Sequence, residues 1–276
     1  YVLAGDGCLM EGISQEAISL AGVWGLNKLI ALYDDNGISI DGAVTGWFRD
    51  DTAARFKACG WNVVGPVDGH DVDQVDNAIT RAQGSADKPT LIICKTAIGK
   101  GSPNRAGSAK AHGEPLGAAE IAATRAAIGW PHAPFEVPDS LRAAWDARER
   151  GAAQHRRWSE RLAGYRAAFP ADAAEFERRM RGDLPVNVEA TLLKLMAQFG
   201  QSRDSVASRK ASQQVLAVLG PALPELLGGS ADLTGSNLTD FPGCGAVKAG
   251  DMTGRHVNYG VREFGMAAIM NGVALH

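Results

Sequence analysis

The sequence has few cysteines, and they form none of the pairs that bind zinc or build a disulfide framework. Cys8, Cys59, Cys94 and Cys244 are scattered along 276 residues, and no CxxC motif occurs. This usage is typical of reduced thiols in a cytosolic protein, so we expect a cytoplasmic location.

Long apolar runs and an excess of charge are also missing. No apolar run approaches the roughly twenty residues needed to span a bilayer, which argues against a membrane protein. The net charge of -3 gives no reason to expect a nucleic acid or an anionic membrane as a partner. The segment 142–181 is rich in arginine, but acidic residues interleave the arginines. This mixture indicates the solvated surface of helices rather than an RNA or phosphate site.

Common nucleotide-binding motifs are absent as well. Residues 99–104 do not fit GxGxxG, and no GxxxxGK[ST] occurs. An initiating methionine is also lacking: the chain starts inside a strand-like run and stops inside a helical one. These ends predict an internal piece of a longer protein.

Alternating strand and helix patterns dominate residues 1–115 and predict an α/β fold with a parallel sheet. Strands are predicted at residues 1–4, 28–33, 61–67 and 90–94. Helices are predicted at residues 13–24, 51–59 and 71–83, the last one capped by Asp71. We take residues 1–115 as one domain.

The pattern changes after residue 115. Alanine, arginine and glutamate dominate residues 116–205, which we interpret as a helical linker. A second α/β domain is predicted to start within residues 206–276, with a helix near Ser208, strands at 225–228 and 255–259, and a helix from Val261.

Two polar stretches follow predicted strands and indicate one site. Gly5-Asp6-Gly7 follows the first strand, and Asp34-Asp35-Asn36-Gly37-Ile38 follows the second, about thirty residues later. Ligands bind beyond the carboxyl ends of strands in open parallel sheets. The Asp6 carboxylate, the Asn36 amide oxygen and the Ile38 carbonyl are suitable ligands for Mg²⁺. Two unrelated turns are the alternative, because these residue types are common in turns.

The sequence of these two stretches resembles that of a known family. A GDG followed about thirty residues later by asparagine is similar to the diphosphate-and-metal motif of thiamine-diphosphate enzymes. GDGCLMEGISQEA and YDDNGISIDG resemble the transketolase family in particular. The resemblance implies a parallel-sheet thiamine-diphosphate-binding fold, present here as one partial domain, a helical linker and the start of a pyrimidine-binding domain.

The resemblance also implies an activity and its partners. Transketolases transfer a two-carbon ketol unit from a ketose phosphate to an aldose phosphate, as in the pentose phosphate pathway and the Calvin cycle. The implied cofactors are thiamine diphosphate, held by Asp6, Gly7 and Asn36, and Mg²⁺, for which Ca²⁺ can substitute. Sugar phosphates are the implied substrates and a homodimer the implied assembly.

Two residues match the family's catalytic positions. Glu263, in GVREFG, matches a glutamate that hydrogen-bonds to the cofactor's pyrimidine ring and has to be shielded from water to stay protonated. His112, in AHGEPLG, matches a histidine that contacts cofactor and substrate. The second histidine that the family often has a few positions earlier is absent here. An exposed glutamate at a helix start and a loop histidine without a role are the alternatives.

Further matches concern binding. Arg209 and Ser236 match positions that hold the sugar phosphate, with a surface ion pair and a simple turn as the alternatives. Asp232 resembles a residue that lines the cofactor, and Ile98 one that lies against the thiazolium, although ordinary packing would also explain Ile98. Glu11 and Glu16 resemble acidic residues at the family's dimer contact; first-turn helix glutamates are the alternative.

Other functions remain open at this point. Dihydroxyacetone synthase and deoxyxylulose-phosphate synthase are rivals among the enzymes, and the wording GDGCLMEGIS favours transketolase over the second. A non-catalytic cofactor-binding scaffold for dimerisation is the rival from another class. We expect the isolated 276-residue chain to be inactive, because family site residues lie outside it.

Overall fold

The computed structural model of the protein describes residues 1–202 and 204–276. The chain divides into two compact units. The first unit contains Tyr1–Pro131, Val247–Thr253 and Asn258–His276, and the second contains His132–Ala246 and Gly254–Val257.

Strands and helices alternate through the first 131 residues, as the sequence predicts. The strands are β1 (Val2–Gly5), β2 (Ile30–Asp35), β3 (Ile38–Ser39), β4 (Gly42–Ala43), β5 (Asn62–Asp68) and β6 (Thr90–Lys95). The helices are α1 (Asp6–Met10), α2 (Gly12–Val23), α3 (Thr52–Ala58), α4 (Val72–Gln83) and α5 (Ala118–Ala127). The hairpin of β3 and β4 and the short helix α1 were not predicted.

Four of these strands form a parallel sheet in the order β1-β2-β6-β5. Gly5 pairs with Asp34, and Asp34 pairs in turn with Cys94, so the carboxyl ends of β1, β2 and β6 lie side by side. This register places the residues after β1 and β2 at the same edge of the sheet, where the predicted site requires them.

The central strands are buried on both faces. Leu91 and Ile93 pack on one face with Phe56 and Trp61, whose rings meet edge to face 5.0 Å apart. Ile92 packs on the other face in a second apolar cluster that includes residues of α4. Burial on both sides explains why β6 reads as a continuous apolar run rather than an alternating one.

Two aspartates cap helices of this unit. The Asp71 carboxylate accepts hydrogen bonds from the backbone N–H groups of Asp73 and Gln74, which confirms the predicted cap of α4. Asp51 caps α3 in the same way through Ala54 N–H. A side-chain oxygen satisfies N–H groups that have no partner within the helix, and so fixes where each helix begins.

Helices account for most of the rest of the chain, and the described residues between 116 and 205 contain no strand, as predicted. These helices are α6 (Asp139–Trp145), α7 (Arg148–Ala168), α8 (Pro170–Arg181), α9 (Val188–Gln201) and α10 (Ser208–Ala222). The last elements are β7 (Gly228–Ser230), α11 (Thr234–Asn237), β8 (His256–Asn258) and α12 (Glu263–Leu275). No helix in the described part of the chain is long and apolar enough to cross a membrane.

One predicted strand is misplaced. The sequence predicts a strand at residues 225–228, whereas β7 begins only at Gly228. Leu226 N–H closes a turn onto Leu223 O, and the Glu225 carboxylate forms an ion pair with Arg178 on α8. The turn and the ion pair therefore keep residues 225–227 out of the strand, although the apolar pattern alone assigns them to it.

Helix α12 packs on α2 within the first unit. The Glu16 carboxylate accepts a hydrogen bond of 2.6 Å from Gly265 N–H, and Arg262 donates to the Ser19 hydroxyl at 3.1 Å. Trp24 and Tyr259 add an edge-to-face ring contact at 6.2 Å. These contacts fix the start of α12 on α2.

Candidate active site

A buried carboxylate joins the two polar stretches. Asp6 is only 4% exposed, and one of its oxygens accepts a hydrogen bond of 3.0 Å from Gly37 N–H, in the turn after β2. The other oxygen accepts a hydrogen bond from the Tyr33 hydroxyl. The GDG stretch and the turn that follows Asn36 are therefore in direct contact, as the parallel register requires.

Tyr33 is held in its neutral form. Its burial, followed by its hydrogen bond to Asp6 and the nearby charge of Asp35, raises the pKa of the phenol well above its ordinary value. The hydroxyl therefore remains a donor to Asp6 and does not become a second anion beside it. Tyr33 was not predicted as a site residue; its position at the end of the apolar run before Asp34 was the available signal.

The Asn36 side chain makes two local hydrogen bonds. Its amide nitrogen donates to Asp34 at 3.1 Å, and its amide oxygen accepts from Ile38 N–H at 2.9 Å. Within the described residues, the side chains of Asp6 and Asn36 make no hydrogen bond to each other. The structure thus brings Asp6 to the turn that carries Asn36, while the two side chains form hydrogen bonds with different partners.

The oxygen atoms at this edge of the sheet are suitable ligands for a hard cation. A carboxylate has about four acceptor positions, of which Asp6 uses two for protein donors. In the described part of the chain, no lysine or arginine pairs with this buried charge. All three predicted ligand atoms are oxygens, the set that Mg²⁺ and Ca²⁺ prefer. No group of three or more histidine, cysteine, aspartate or glutamate side chains suited to a metal occurs among the described residues. The predicted ligand set contains only one side chain of these types, Asp6, and is completed by an amide oxygen and a main-chain carbonyl. It is therefore a different kind of site from such a group.

Open space lies beside the same backbone. A Cβ atom added to Gly5 or Gly7 would meet nothing within 4 Å, so a ligand can approach this backbone closely. A cavity of about 390 Å³ also opens here, and its walls include Asp6, Gly37 and Lys95. Gly5, Gly7 and Asn36 do not line this cavity, so the fit to a diphosphate and its cation rests on the open backbone at Gly5 and Gly7 and on the oxygen atoms of Asp6 and Asn36.

The segment after β6 belongs to the same edge. The Thr96 hydroxyl donates to Asp34, and the Lys95 ammonium pairs with Asp35 at 2.6 Å. The Ala97 N–H donates to His70 Nε2 at 2.8 Å. Sequence reasoning missed His70, although it follows β5 and thus obeys the same strand-end rule as Asp6 and Asn36.

Ile98 lies in the loop that continues from this segment. Its side chain is half-buried, and its carbonyl accepts a hydrogen bond of 2.8 Å from Gly107 N–H. Further along the loop, Glu120 accepts from the Ser102 hydroxyl and from both N–H groups of Asn104. The strand end and α5 thus anchor the loop that carries Ile98.

His112 lies later in the same region, directly after a single helical turn at Ala109–Ala111. Its side chain is exposed. Arg105 braces the surrounding segment by donating to the carbonyls of Lys110, at 3.4 Å, and Pro115, at 3.2 Å. The structure therefore supports the backbone around His112 and leaves its imidazole accessible.

Glu263 begins α12, and its side chain is exposed. The family resemblance predicts a carboxyl shielded from water, and this chain alone does not provide the shield. The exposure follows from the packing: Gly265 faces α2, which turns Glu263 and Phe264 toward solvent. Glu16 is half-buried through the same contact, whereas Glu11 is exposed at the start of α2.

Three predicted binding residues lie in the second unit. Arg209 is in the first turn of α10, Ser236 is in α11, and Asp232 lies between β7 and α11. All three side chains are exposed. Asp232 has a left-handed backbone, with a φ of 63°, a conformation that aspartate tolerates better than most residues. In the described residues, no hydrogen bond or ion pair joins these three side chains.

Known families match nearly the whole chain. The family described as "Transketolase, thiamine diphosphate binding domain" matches residues 1–185. The family described as "Transketolase, pyrimidine binding domain" matches residues 204–276.

Individual relatives agree with these matches. The chain is 56% identical over 276 residues to Transketolase 1 of Vibrio cholerae and 54% identical to Transketolase 1 of Escherichia coli K12. Each match covers 100% of this chain and 42% of the relative, so the chain spans about two fifths of the length of these relatives.

Solved structures give the same result. A transketolase of Pichia stipitis in complex with sedoheptulose-7-phosphate superposes with a TM-score of 0.91 at 40% identity, over 99% of this chain and 41% of that one. The transketolase of Leishmania mexicana superposes with a TM-score of 0.90 at 42% identity, over 99% of this chain and 40% of that one.

Proposed function

The chain belongs to the transketolase family, and from this premise we propose that it forms part of a Mg²⁺- and thiamine-diphosphate-dependent transferase. The reaction is the transfer of a two-carbon ketol unit from a ketose phosphate to an aldose phosphate, as in pentose phosphate or Calvin-type metabolism. The protein acts in the cytoplasm as a homodimer.

One contact carries this proposal: the hydrogen bond of 3.0 Å between the buried Asp6 carboxylate and Gly37 N–H. It brings a carboxylate without a cationic side-chain partner to the turn that contains Asn36 and Ile38. A divalent cation bound there would neutralise Asp6 and present open positions to phosphate oxygens.

The residues at this edge hold the cofactor. Asp6, Asn36 and Ile38 would hold Mg²⁺ through oxygen atoms, and the backbone at Gly7 leaves room for the diphosphate. Ile98 lies against the thiazolium side. When bound, thiamine diphosphate would supply the nucleophile and the electron sink for the transferred unit.

Other residues handle protons and substrate. Glu263 donates a hydrogen bond to the cofactor's pyrimidine from a protonated carboxyl, which has to be covered to stay neutral. Its exposure in this chain supports a second subunit as the cover. His112 exchanges protons with substrate hydroxyls, Arg209 and Ser236 bind the sugar phosphate, and Asp232 lines the cofactor.

The three-part organisation is also proposed. Residues 1–115 form the diphosphate- and metal-binding part, residues 116–205 the linker, and residues 206–276 the start of the pyrimidine-binding part. The two family matches, at residues 1–185 and 204–276, support the order of the first and last parts.

A ketol-transfer assay tests the function. In a protein of the relatives' full length that contains this sequence, we expect transfer from a ketose phosphate to an aldose phosphate that requires added thiamine diphosphate and Mg²⁺. Replacing Glu263 with alanine should lower kcat by about 10²- to 10⁴-fold, the usual range for a group that manages a proton in the transition state. Equal turnover of variant and parent would show that the role given to Glu263 is wrong, and absence of transfer by the parent would refute the function itself.

A further inference from the structure

The Asn36 amide is fixed in one orientation by two partners of opposite kind. The Asp34 carboxylate only accepts hydrogen bonds and lies 3.1 Å from the amide nitrogen. The Ile38 N–H only donates and lies 2.9 Å from the amide oxygen. Rotating the amide by half a turn would place nitrogen against N–H and oxygen against carboxylate, so both contacts would become repulsive.

This orientation matters for the proposed metal site. The two ends of a side-chain amide have nearly the same shape, but only the oxygen binds a hard cation. The single hydrogen bond from Ile38 N–H leaves the oxygen with a second lone pair. The group that accepts from the nitrogen, together with the Ile38 N–H, therefore determines whether Asn36 offers its oxygen or its N–H group to the metal.

Asp34 is itself held in place. Its second oxygen accepts a hydrogen bond from the Thr96 hydroxyl, at the start of the segment that leads to Ile98. Its backbone pairs with Gly5 on one side and with Cys94 on the other. The carboxylate thus connects the turn after β2 with the segment after β6, and both bonds come from groups at the sheet edge that carries Asp6.

We propose that Asp34 is a positioning residue for metal binding: it orients the amide of Asn36 so that its oxygen faces the divalent cation. This proposal rests on the proposed function, because it assigns a role toward the same Mg²⁺ and diphosphate. Asp34 is exposed in the chain. Its removal deletes two side-chain hydrogen bonds but none of the backbone pairings of β2, so the metal-free fold should persist and metal affinity and folding can be measured separately.

The test uses a protein of the relatives' full length that contains this sequence. The measurement is the Mg²⁺ concentration that gives half-maximal binding of thiamine diphosphate in titration calorimetry, with no substrate present. For Asp34→Ala we expect this concentration to rise by about 10- to 100-fold, the usual effect of losing a group that orients a metal ligand. Asp34→Asn retains one acceptor oxygen and should fall between the parent and Asp34→Ala. Circular dichroism and the thermal midpoint of the metal-free protein check that each variant folds.

A second background separates orientation from other effects. In Asn36→Asp the ligand is a carboxylate, whose two ends are alike, so no group is needed to orient it. The Asp34 carboxylate then repels the carboxylate at position 36 and no longer orients it. Asp34→Ala in this background should therefore leave Mg²⁺ affinity unchanged or raise it. The same loss in both backgrounds would overturn the proposal, because it would mean that Asp34 acts through its charge or through the fold.

The outcomes also distinguish this proposal from the function on which it rests. If the parent binds thiamine diphosphate with Mg²⁺ and Asp34→Ala binds it equally well, Asp34 has no positioning role and the proposed function stands. If the folded parent shows no metal-dependent binding, the proposed function fails, and the role of Asp34 fails with it.

Discussion

Glu120 is a carboxylate in the first turn of α5 that organises the loop carrying Ile98. It is 9% exposed and accepts hydrogen bonds from the Ser102 hydroxyl and from the backbone and side-chain N–H groups of Asn104, at 2.9 and 2.8 Å. The Ser102 hydroxyl, and then the two Asn104 donors, hold the pKa of Glu120 below its ordinary value of 4.5. All these bonds favour the charged form, so protonation weakens them.

This pKa shift predicts a pH-dependent contribution to stability. A carboxylate whose pKa is lower in the folded state stabilises the fold above its unfolded pKa, and this contribution is lost as pH falls through the folded pKa. We expect Glu120→Gln to lower the thermal midpoint at neutral pH. The gap between parent and variant should narrow as the pH is lowered below 4.5. The measurement is the thermal midpoint by circular dichroism at several pH values.

A matched control uses Glu114, an exposed carboxylate whose ion pair with Arg105 is long, at 3.6 Å. Glu114→Gln should change the midpoint little at any pH, because exposed ion pairs add little stability. A gap for Glu120→Gln that stays constant across the range would contradict a role for the charged form.

At the scale of elements, α2 packs so closely on the end of α3 that one position has no room for a side chain. A Cβ atom added to Gly22 would lie 1.7 Å from the carbonyl oxygen of Cys59, a backbone atom that cannot rotate away. The contact lies beside Trp61, whose indole N–H donates to Ile18 O on α2 at 2.8 Å. The glycine at position 22 therefore sets how closely α2 packs against the end of α3.

Gly22→Ala should consequently destabilise the protein, although alanine favours helix. Overpacking in a dense region typically costs about 1–3 kcal/mol, which outweighs the gain of roughly 0.5–1 kcal/mol in helix propensity. Gly12, at the start of the same helix, has nothing within 4 Å of an added Cβ and serves as the control. Urea unfolding should show a clear loss for Gly22→Ala and none for Gly12→Ala; equal stabilities would mean that the helix moves aside freely.

Elements and motifs differ in how well the sequence predicts them. Strand β6 and helix α4 were predicted well, because periodicity and the Asp71 cap are local signals. The strand-end rule placed Asp6 near the Asn36 turn because a parallel register aligns strand ends. The bonds from Tyr33 to Asp6 and from Ala97 to His70 join residues about 27 positions apart, and no local pattern encodes them. The short hairpin of β3 and β4 has too few residues to produce a periodic signal.

At the scale of the whole molecule, α12 carries exposed apolar side chains next to Glu263. Phe264 is 61% exposed and Leu275 89%, and their spacing of about three turns puts both on one face of α12. Exposed large apolar residues that cluster on one element mark interaction sites more often than free surface. A second subunit that covers this face would also cover Glu263, next to Phe264, and so provide the shielding that its proposed role requires.

If a second subunit covers both α12 and Glu263, a variant that breaks the dimer should also lose activity. In a protein of the relatives' full length that contains this sequence, we expect Phe264→Asp to shift the population from dimer to monomer in sedimentation velocity. Burying an unpaired charge in an apolar contact is costly, so ketol transfer should fall with the dimer fraction. Met180, 71% exposed on α8, provides the control: Met180→Asp should leave both dimer and activity intact. A fully dimeric, active Phe264→Asp protein would show that α12 is free surface and that Glu263 is shielded in some other way.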